Sequence, residues 1–440
     1  MFSPIIKIFK FILIILIIYL ALTTLLINVI MHKKSKIDYE LDINKKNDLV
    51  SLIESPDDAI NIRLNLLDKA KESIDICYYD FDTSDTATVF FDKIFQCANK
   101  GIKVRILINK ITNSFVFGEK WRKELLAAHP NIELYYYGNS LLNFYKLQDN
   151  LHDKVVAIDD QYLLVGGRNV SDRFFVDDHN TVFDLDLVIK RKGSRSAVDD
   201  YNDYYQSLID LDSVKMVENK KKYRKKFDEN MQKLAEARSK INFQEENIYD
   251  KLTFRDVNLY FIHNNADQFI KDPLIFNHIG KLAKNSKKIS WVSPYIVFSK
   301  PIQKSLDIKN WQADADFITN SSLSTPNFFA FSATYHYASS LKKCANLYSY
   351  IGKGSLHSKA ILFDDNLSAV GTLNLDPRSA FLSTETMTFI EGKEFNSDLR
   401  KYVGSLEKET WDLAEEKTPP LKKAFLLILS LIMLIFIPLT

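Results

Sequence analysis

The chain has 440 residues, 46% of them hydrophobic and 26% charged, a globular balance long enough for two domains or one large pseudo-symmetric one. A formal charge of only +2 excludes a protein that coats nucleic acid by bulk electrostatics. Three widely spaced cysteines (Cys77, Cys97, Cys344) without a CxxC pair offer no disulfide framework or thiolate zinc site, and each reads as a small buried apolar residue.

The elements follow in chain order. Phe11 to Ile30 is an uncharged apolar run long enough to cross about 30 Å of hydrocarbon as a helix. Met31-His32-Lys33-Lys34 follows where a signal peptide would carry its small-residue cleavage site, so residues 1–35 are expected to be an uncleaved membrane anchor. A polar linker is expected over about 32–55. Strands are predicted at Ser73–Phe81, Ile102–Ile108 and Ile132–Tyr137, with a helix over Ala87–Asn99. A charged stretch near 214–250, with the basic run Lys220–Lys226, reads as a solvated helical linker. Strands at Asp256–His263, Lys288–Val297 and Ala315–Thr319 then alternate with helices near 272–285 and 299–309. This alternation predicts an α/β chain, a sheet covered by helices. The last apolar run, 424–440 behind Lys422 and Lys423, is expected to contact a membrane.

A repeat carries the chemistry. His152-x-Lys154 leads to Asp159 and then to Gly166 and Asn169; His357-x-Lys359 leads to Asp364, Gly371 and Asn374. Each of these five pairs is 205 positions apart. Residues two apart on a strand share a face, so each His and Lys look the same way. A neutral imidazole attacks phosphorus and a charged one protonates a leaving oxygen. The lysine neutralises a phosphate oxygen, and the Asn amide donates another hydrogen bond. Two such half-sites facing each other would supply a nucleophile and an acid on opposite sides of one phosphorus. Asp184 in FDLDLVI and Glu385 in TETMTFI enter strand-like runs after the Asn, and each is a candidate to orient the histidine of its own half. Asp159 and Asp364 belong to the catalytic motif, but their odd spacing from the histidines points them to the opposite face, as structural support. No motif asks for a metal or another cofactor.

These residues resemble the phospholipase D superfamily, whose signature is a duplicated HxKxxxxD followed by G-[GST]-x-N. The stretches GGRNVSDRFF, FDLDLVI, ITNSSLSTPN and GTLNLDPRSAFLSTET look like bacterial cardiolipin synthases, closest to the C-type subgroup. The resemblance implies two pseudo-symmetric α/β/α halves, mixed sheets flanked by helices, with their sites at a shared interface and a phosphohistidine intermediate. The resemblance covers about 55–415, with one half at 55–213 and the other at 256–415; the residues themselves put a charged helical linker at 214–255 and an apolar membrane segment at 421–440. By analogy His152 is the nucleophile and His357 the acid. The activity expected is transfer of a phosphatidyl group onto phosphatidylglycerol at the bacterial inner membrane, with a second phosphatidylglycerol or phosphatidylethanolamine as donor. Phospholipase D hydrolysis is the alternative, followed by a nuclease or a binding protein with a decayed site.

Overall fold

The computed structural model describes residues 3–116, 120–138, 148–219 and 221–436. Sixteen strands form one mixed sheet, and the chain visits them in the same order in both directions from its centre. The seam is the antiparallel pair of strands Lys46–Ile53 and Arg255–His263. Outward on the first side lie Asp186–Lys190, Tyr162–Gly166, Lys154–Ile158, Ser73–Tyr78, Lys103–Asn109, Ile132–Tyr137 and Lys215–Met216. Their counterparts on the second side are Thr386–Glu391, Leu367–Gly371, Ala360–Phe363, Lys288–Val292, Asp314–Asn320, Asn346–Tyr350 and Thr410–Asp412. In each half only three successive strands run parallel, as right-handed crossovers through helices require of neighbours in one sheet.

The motif strands KVVAI and AILF are buried at every position, which is why they read as apolar runs and not as alternating ones. On one face, helices Ala197–Ile209 and Lys393–Glu407 cover a core that runs unbroken across the seam, from Tyr205 and Leu187 to Ile390 and Leu399. The other face carries two separate cores. One lies under Pro56–Asp68 and Asp85–Asn99, the other under Leu274–Lys284 and Lys300–Ser305. Helix starts are set by local chemistry: Ser55 caps Pro56–Asp68 by accepting from the Asp58 N–H at 3.3 Å, with Pro56 at the first helical position, and Ser196 with Asp199 forms a capping box.

Four expectations are corrected. The stretch expected as a linker, 32–55, holds the seam strand Lys46–Ile53, whose pairing partners lie in both halves. The 214–255 segment is not a solvated linker, because helix Phe227–Ser239 buries Leu234 and Asn230 against the first half. The C-terminal helix Pro420–Phe436 does find protein to pack on: it lies along Phe328–Leu341 and buries Leu426, Ser430 and Met433. Cys344 is exposed, while Cys77 and Cys97 are buried.

The N-terminal apolar run lies within one helix, Ser3–Lys34, whose Ile27 and Met31 are buried in the second-half core. Over the described residues no helix is long and apolar enough to cross a membrane, so the spans expected at the two ends are not shown. Residues 1–2, 220 and 437–440, parts of the expected anchor, basic run and tail, lie outside the described residues.

One buried ion triad ties the first half together. The Asp186 carboxylate accepts from Arg63 and Arg168, each at 2.9 Å, and all three side chains are fully buried. Removing the charge on Asp186 leaves two guanidinium groups without a counter-ion in a dry site. Asp186→Asn is therefore expected to destabilise the fold by about 3–5 kcal/mol, read as a lower midpoint in denaturant unfolding.

Candidate active site

The two motifs meet where each half lends a short segment to the other. Val182–Phe183 of the first half pairs in parallel with Ser355–Leu356, the residues leading into His357. Leu151, leading into His152, bridges to Thr384 of the second half. Backbone contacts reinforce both seats: the His357 N–H donates to the Phe183 carbonyl at 2.7 Å, and the His152 N–H donates to Thr384 Oγ1 at 3.1 Å.

Because Asp184 follows Phe183 and Glu385 follows Thr384, the carboxylates cross over. His357 Nδ1 stands 2.5 Å from Asp184 Oδ2, and His152 Nδ1 stands 2.9 Å from Glu385 Oε1. The second contact has ion-pair distance without hydrogen-bond alignment. The expectation that each carboxylate orients the histidine of its own half is thus corrected: each belongs to the histidine of the opposite half. Pairing the 182–184 and 384–385 segments across the interface forces this.

Beneath the imidazoles the floor is ionic and closed. Lys154, Lys359, Asp184 and Glu385 are at most 1% exposed, whereas the His152 and His357 side chains keep 14% and 18%. Lys154 Nζ donates to the His152 carbonyl at 2.6 Å, Lys359 Nζ donates to the His357 carbonyl, and Lys359 lies 3.6 Å from Asp184. Burial and then the neighbouring Lys154 hold His152 well below the usual imidazole range. Burial, followed by Lys359, holds His357 at about 3. Desolvation brings Lys154 down to about 7 and Lys359 to about 8.

The two carboxylates differ. Burial pushes Asp184 up, but Lys359 and His357 overcome it and hold it below its ordinary value. Burial dominates at Glu385 and lifts it to about 8. At neutral pH one histidine therefore faces an anion and the other a protonated acid. Local packing matches: Thr372 donates its hydroxyl to Glu385 Oε2 at 2.5 Å, while at the equivalent Gly167 a Cβ would lie 2.2 Å from Asp184 Oδ1. The absent side chain leaves room for the carboxylate.

Other motif residues fall elsewhere. Asn169 is half-buried and Asn374 buried; each leaves its Oδ1 without a partner, and Asn374 Nδ2 donates to Tyr295 OH at 3.0 Å. Asp159 and Asp364 sit at the far ends of their strands with φ near +47° and +48°. Asp159 accepts the N–H groups of Lys71, Glu72 and Ser73, and Asp364 those of Lys287 and Lys288. Neither side chain reaches the histidines; both clamp the turn that precedes a neighbouring strand, the structural role their odd spacing predicts.

Several neighbours escaped the sequence reading. Asn109 and Asn320 end equivalent strands and hold the residue before each histidine: Leu151 N–H donates to Asn109 Oδ1 at 3.3 Å, Leu356 N–H to Asn320 Oδ1 at 2.8 Å. Tyr79 meets the His152 ring edge-on at 5.0 Å, and Phe174 meets His357 at 5.2 Å. Arg173 and Arg378 also stand 205 apart, so the repeat extends four residues past each Asn. Arg378 contributes to the low basicity of His152, and Arg173 lines an open cavity of about 610 Å³ beside Ser355.

Two α/β halves in one sheet, with paired His-x-Lys motifs at their junction, define a phospholipase D-like enzyme fold. The sequence profile described as "Cardiolipin synthase, PLD-like domain" matches residues 64–209 and 279–406, and the chain belongs to that family. An uncharacterised protein of Helicobacter pylori (strain ATCC 700392 / 26695) is 26% identical over 415 residues, 85% of this chain and 82% of that one. A cardiolipin synthase of Clostridium perfringens (strain 13 / Type A) is 23% identical over 369 residues, covering 82% and 69% of the two chains. The minor cardiolipin synthase ClsB of Bacillus subtilis (strain 168) is 22% identical over 408 residues, covering 89% and 90%. The fold is also similar to the phosphatidylserine synthase of Haemophilus influenzae Rd KW20, with a TM-score of 0.65 at 15% identity over 89% of this chain and 97% of that one.

Proposed function

We propose that this chain is a phosphatidyltransferase that makes cardiolipin through a phosphatidyl-histidine, and the observation carrying this reading is the crossed pair of His–carboxylate contacts above two buried lysines. His152 Nε2 attacks the phosphorus of a phospholipid, forming the N–P bond as the P–O bond to the headgroup alcohol breaks. The leaving oxygen takes its proton from His357. A phosphatidylglycerol hydroxyl then gives its proton to His357 while its oxygen displaces His152, closing the cycle. The donor is a second phosphatidylglycerol or phosphatidylethanolamine.

The division of roles rests on the carboxylates. Ionised Asp184 stabilises an imidazolium at His357, whereas protonated Glu385, turning its carbonyl oxygen Oε1 to accept from Nδ1–H, leaves His152 neutral with a free Nε2 lone pair. In the empty site His357 is also neutral, so its proton enters with the substrate: a phosphodiester anion between Lys154 and Lys359 offsets the charges that repel it. The lysines and the Asn169 and Asn374 amides bind the non-bridging oxygens.

Membrane attachment is part of the proposal. Helix Ser3–Lys34 exposes Phe11, Ile14, Leu22, Leu25 and Leu26, and Pro420–Phe436, in contact with it, exposes Phe425, Ile428 and Leu431. Such contiguous apolar surface suits lipid and holds the site beside its substrate.

Purified full-length protein given labelled phosphatidylglycerol is expected to yield cardiolipin and glycerol. Phosphatidic acid as sole product would assign a hydrolase, and cleavage of nucleic acid without lipid turnover would assign a nuclease. The rate should also fall as pH rises. Below about 7 both lysines carry charge. Between about 7 and 8 Lys154 and Lys359 lose theirs while Glu385 gains a negative charge, so phosphate binding weakens on both counts. A basic limb in kcat/KM within that interval checks this, and a rate still climbing above it contradicts it.

A further inference from the structure

A second basic site lies at the foot of the N-terminal helix. A cavity of about 530 Å³ opens at Ser35, directly after the last helical residue Lys34, and none of the catalytic residues lines it. Six lysines converge there from three separate stretches of chain: Lys36; Lys281 and Lys284; and Lys300, Lys304 and Lys309. Two aspartates, Asp38 and Asp307, share the lining, which leaves a formal +4. Lys281 pairs with Asp38 at 2.7 Å. The other five have no ion-pair partner among the described residues, and all five are exposed.

Helix polarity explains part of this. Lys281 and Lys284 close the helix Leu274–Lys284, and Lys304 closes Lys300–Ser305, where cations offset the negative helix end. Lys36 and Lys309 stand at helix ends too, but the account does not reach Lys300, which opens its helix where a cation is unfavourable. Like charges gathered around a concavity repel one another and raise its affinity for an anion.

We infer that this cavity binds the phosphate of an anionic phospholipid headgroup, as a site separate from the catalytic centre. The inference rests on the proposed attachment of helix Ser3–Lys34 to lipid. An apolar helix entering a leaflet puts the residues just past its end at headgroup depth, where lysines attract anionic lipid. Bound there, a lipid holds the second half of the sheet against the membrane.

Native mass spectrometry of the full chain in neutral detergent micelles tests this, with dihexadecyl phosphate as probe because it is an anionic two-chain phosphodiester with no headgroup alcohol to release. Wild type is expected to retain two copies. The combined variant Lys284→Glu, Lys304→Glu, Lys309→Glu should lose one, its affinity at that site falling by more than about 100-fold, a factor of about five for each lysine charge lost with repulsion by the new carboxylates added. Lys154→Ala with Lys359→Ala should lose the other copy and keep this one; if it keeps both, the catalytic reading fails and the present one stands. A combined Gln variant at the same three positions, with an unchanged thermal melt and unchanged transfer on micellar substrate, should weaken binding to a lesser degree. Retention of both copies with unchanged affinity in the Glu variant would overturn the inference. Displacement by an equal concentration of inorganic phosphate would overturn the lipid assignment by making the site one for a free anion.

Discussion

His152→Ala and His357→Ala should each lower the rate of phosphatidyl transfer by about 10³-fold or more, because each removes a group that forms or breaks a bond to phosphorus. The double variant should be little worse than the slower single one, since residues acting as a unit do not add. Both imidazoles sit at the surface of the site with 14% and 18% of their side chains exposed, so folding should be nearly unaffected and a thermal melt will separate lost chemistry from lost structure. Full activity in either variant would remove the two-histidine mechanism.

The carboxylates should behave unequally. Asp184 is held as an anion against His357, so Asp184→Asn removes a charge and can present an amide N–H to Nδ1, favouring the wrong tautomer. A loss of about 10³- to 10⁴-fold in kcat is expected. Glu385, lifted to about 8, is already protonated at neutral pH, and Gln resembles that form. Glu385→Gln should cost only about 10- to 100-fold. Equal losses in kcat for the two variants would show that the carboxylates share one protonation state. A larger loss at Glu385 would transfer the acid role to His152.

What could be read from the sequence was what is local. His152-x-Lys154 and His357-x-Lys359 fix a shared strand face by parity alone, and the odd step to Asp159 and Asp364 points them away, where they clamp the turns before Ser73 and Lys288. The crossed carboxylates were not legible, because Asp184 reaches His357 only through the pairing of Phe183 with Leu356, a contact between halves 173 residues apart in chain. Nor was the seam strand Lys46–Ile53, whose KNDLVSLI mixes polar and apolar residues and whose two pairing partners lie far away in chain. Asn109 and Asn320 look like ordinary strand ends until their side chains are seen to hold Leu151 and Leu356. Arg173 and Arg378 did carry a signal, the same offset of 205, four residues past each Asn. The packing partner of the C-terminal helix, Phe328–Leu341, has an apolar composition that fits a core equally well.

The most direct measurement is rapid alkaline quenching of full-length enzyme turning over labelled phosphatidylglycerol, followed by mass-spectrometric mapping of the acid-labile adduct. The account predicts a phosphatidyl group on His152 that disappears when unlabelled phosphatidylglycerol is supplied as acceptor. An adduct on His357 instead, or steady product formation with no covalent intermediate at all, would contradict it.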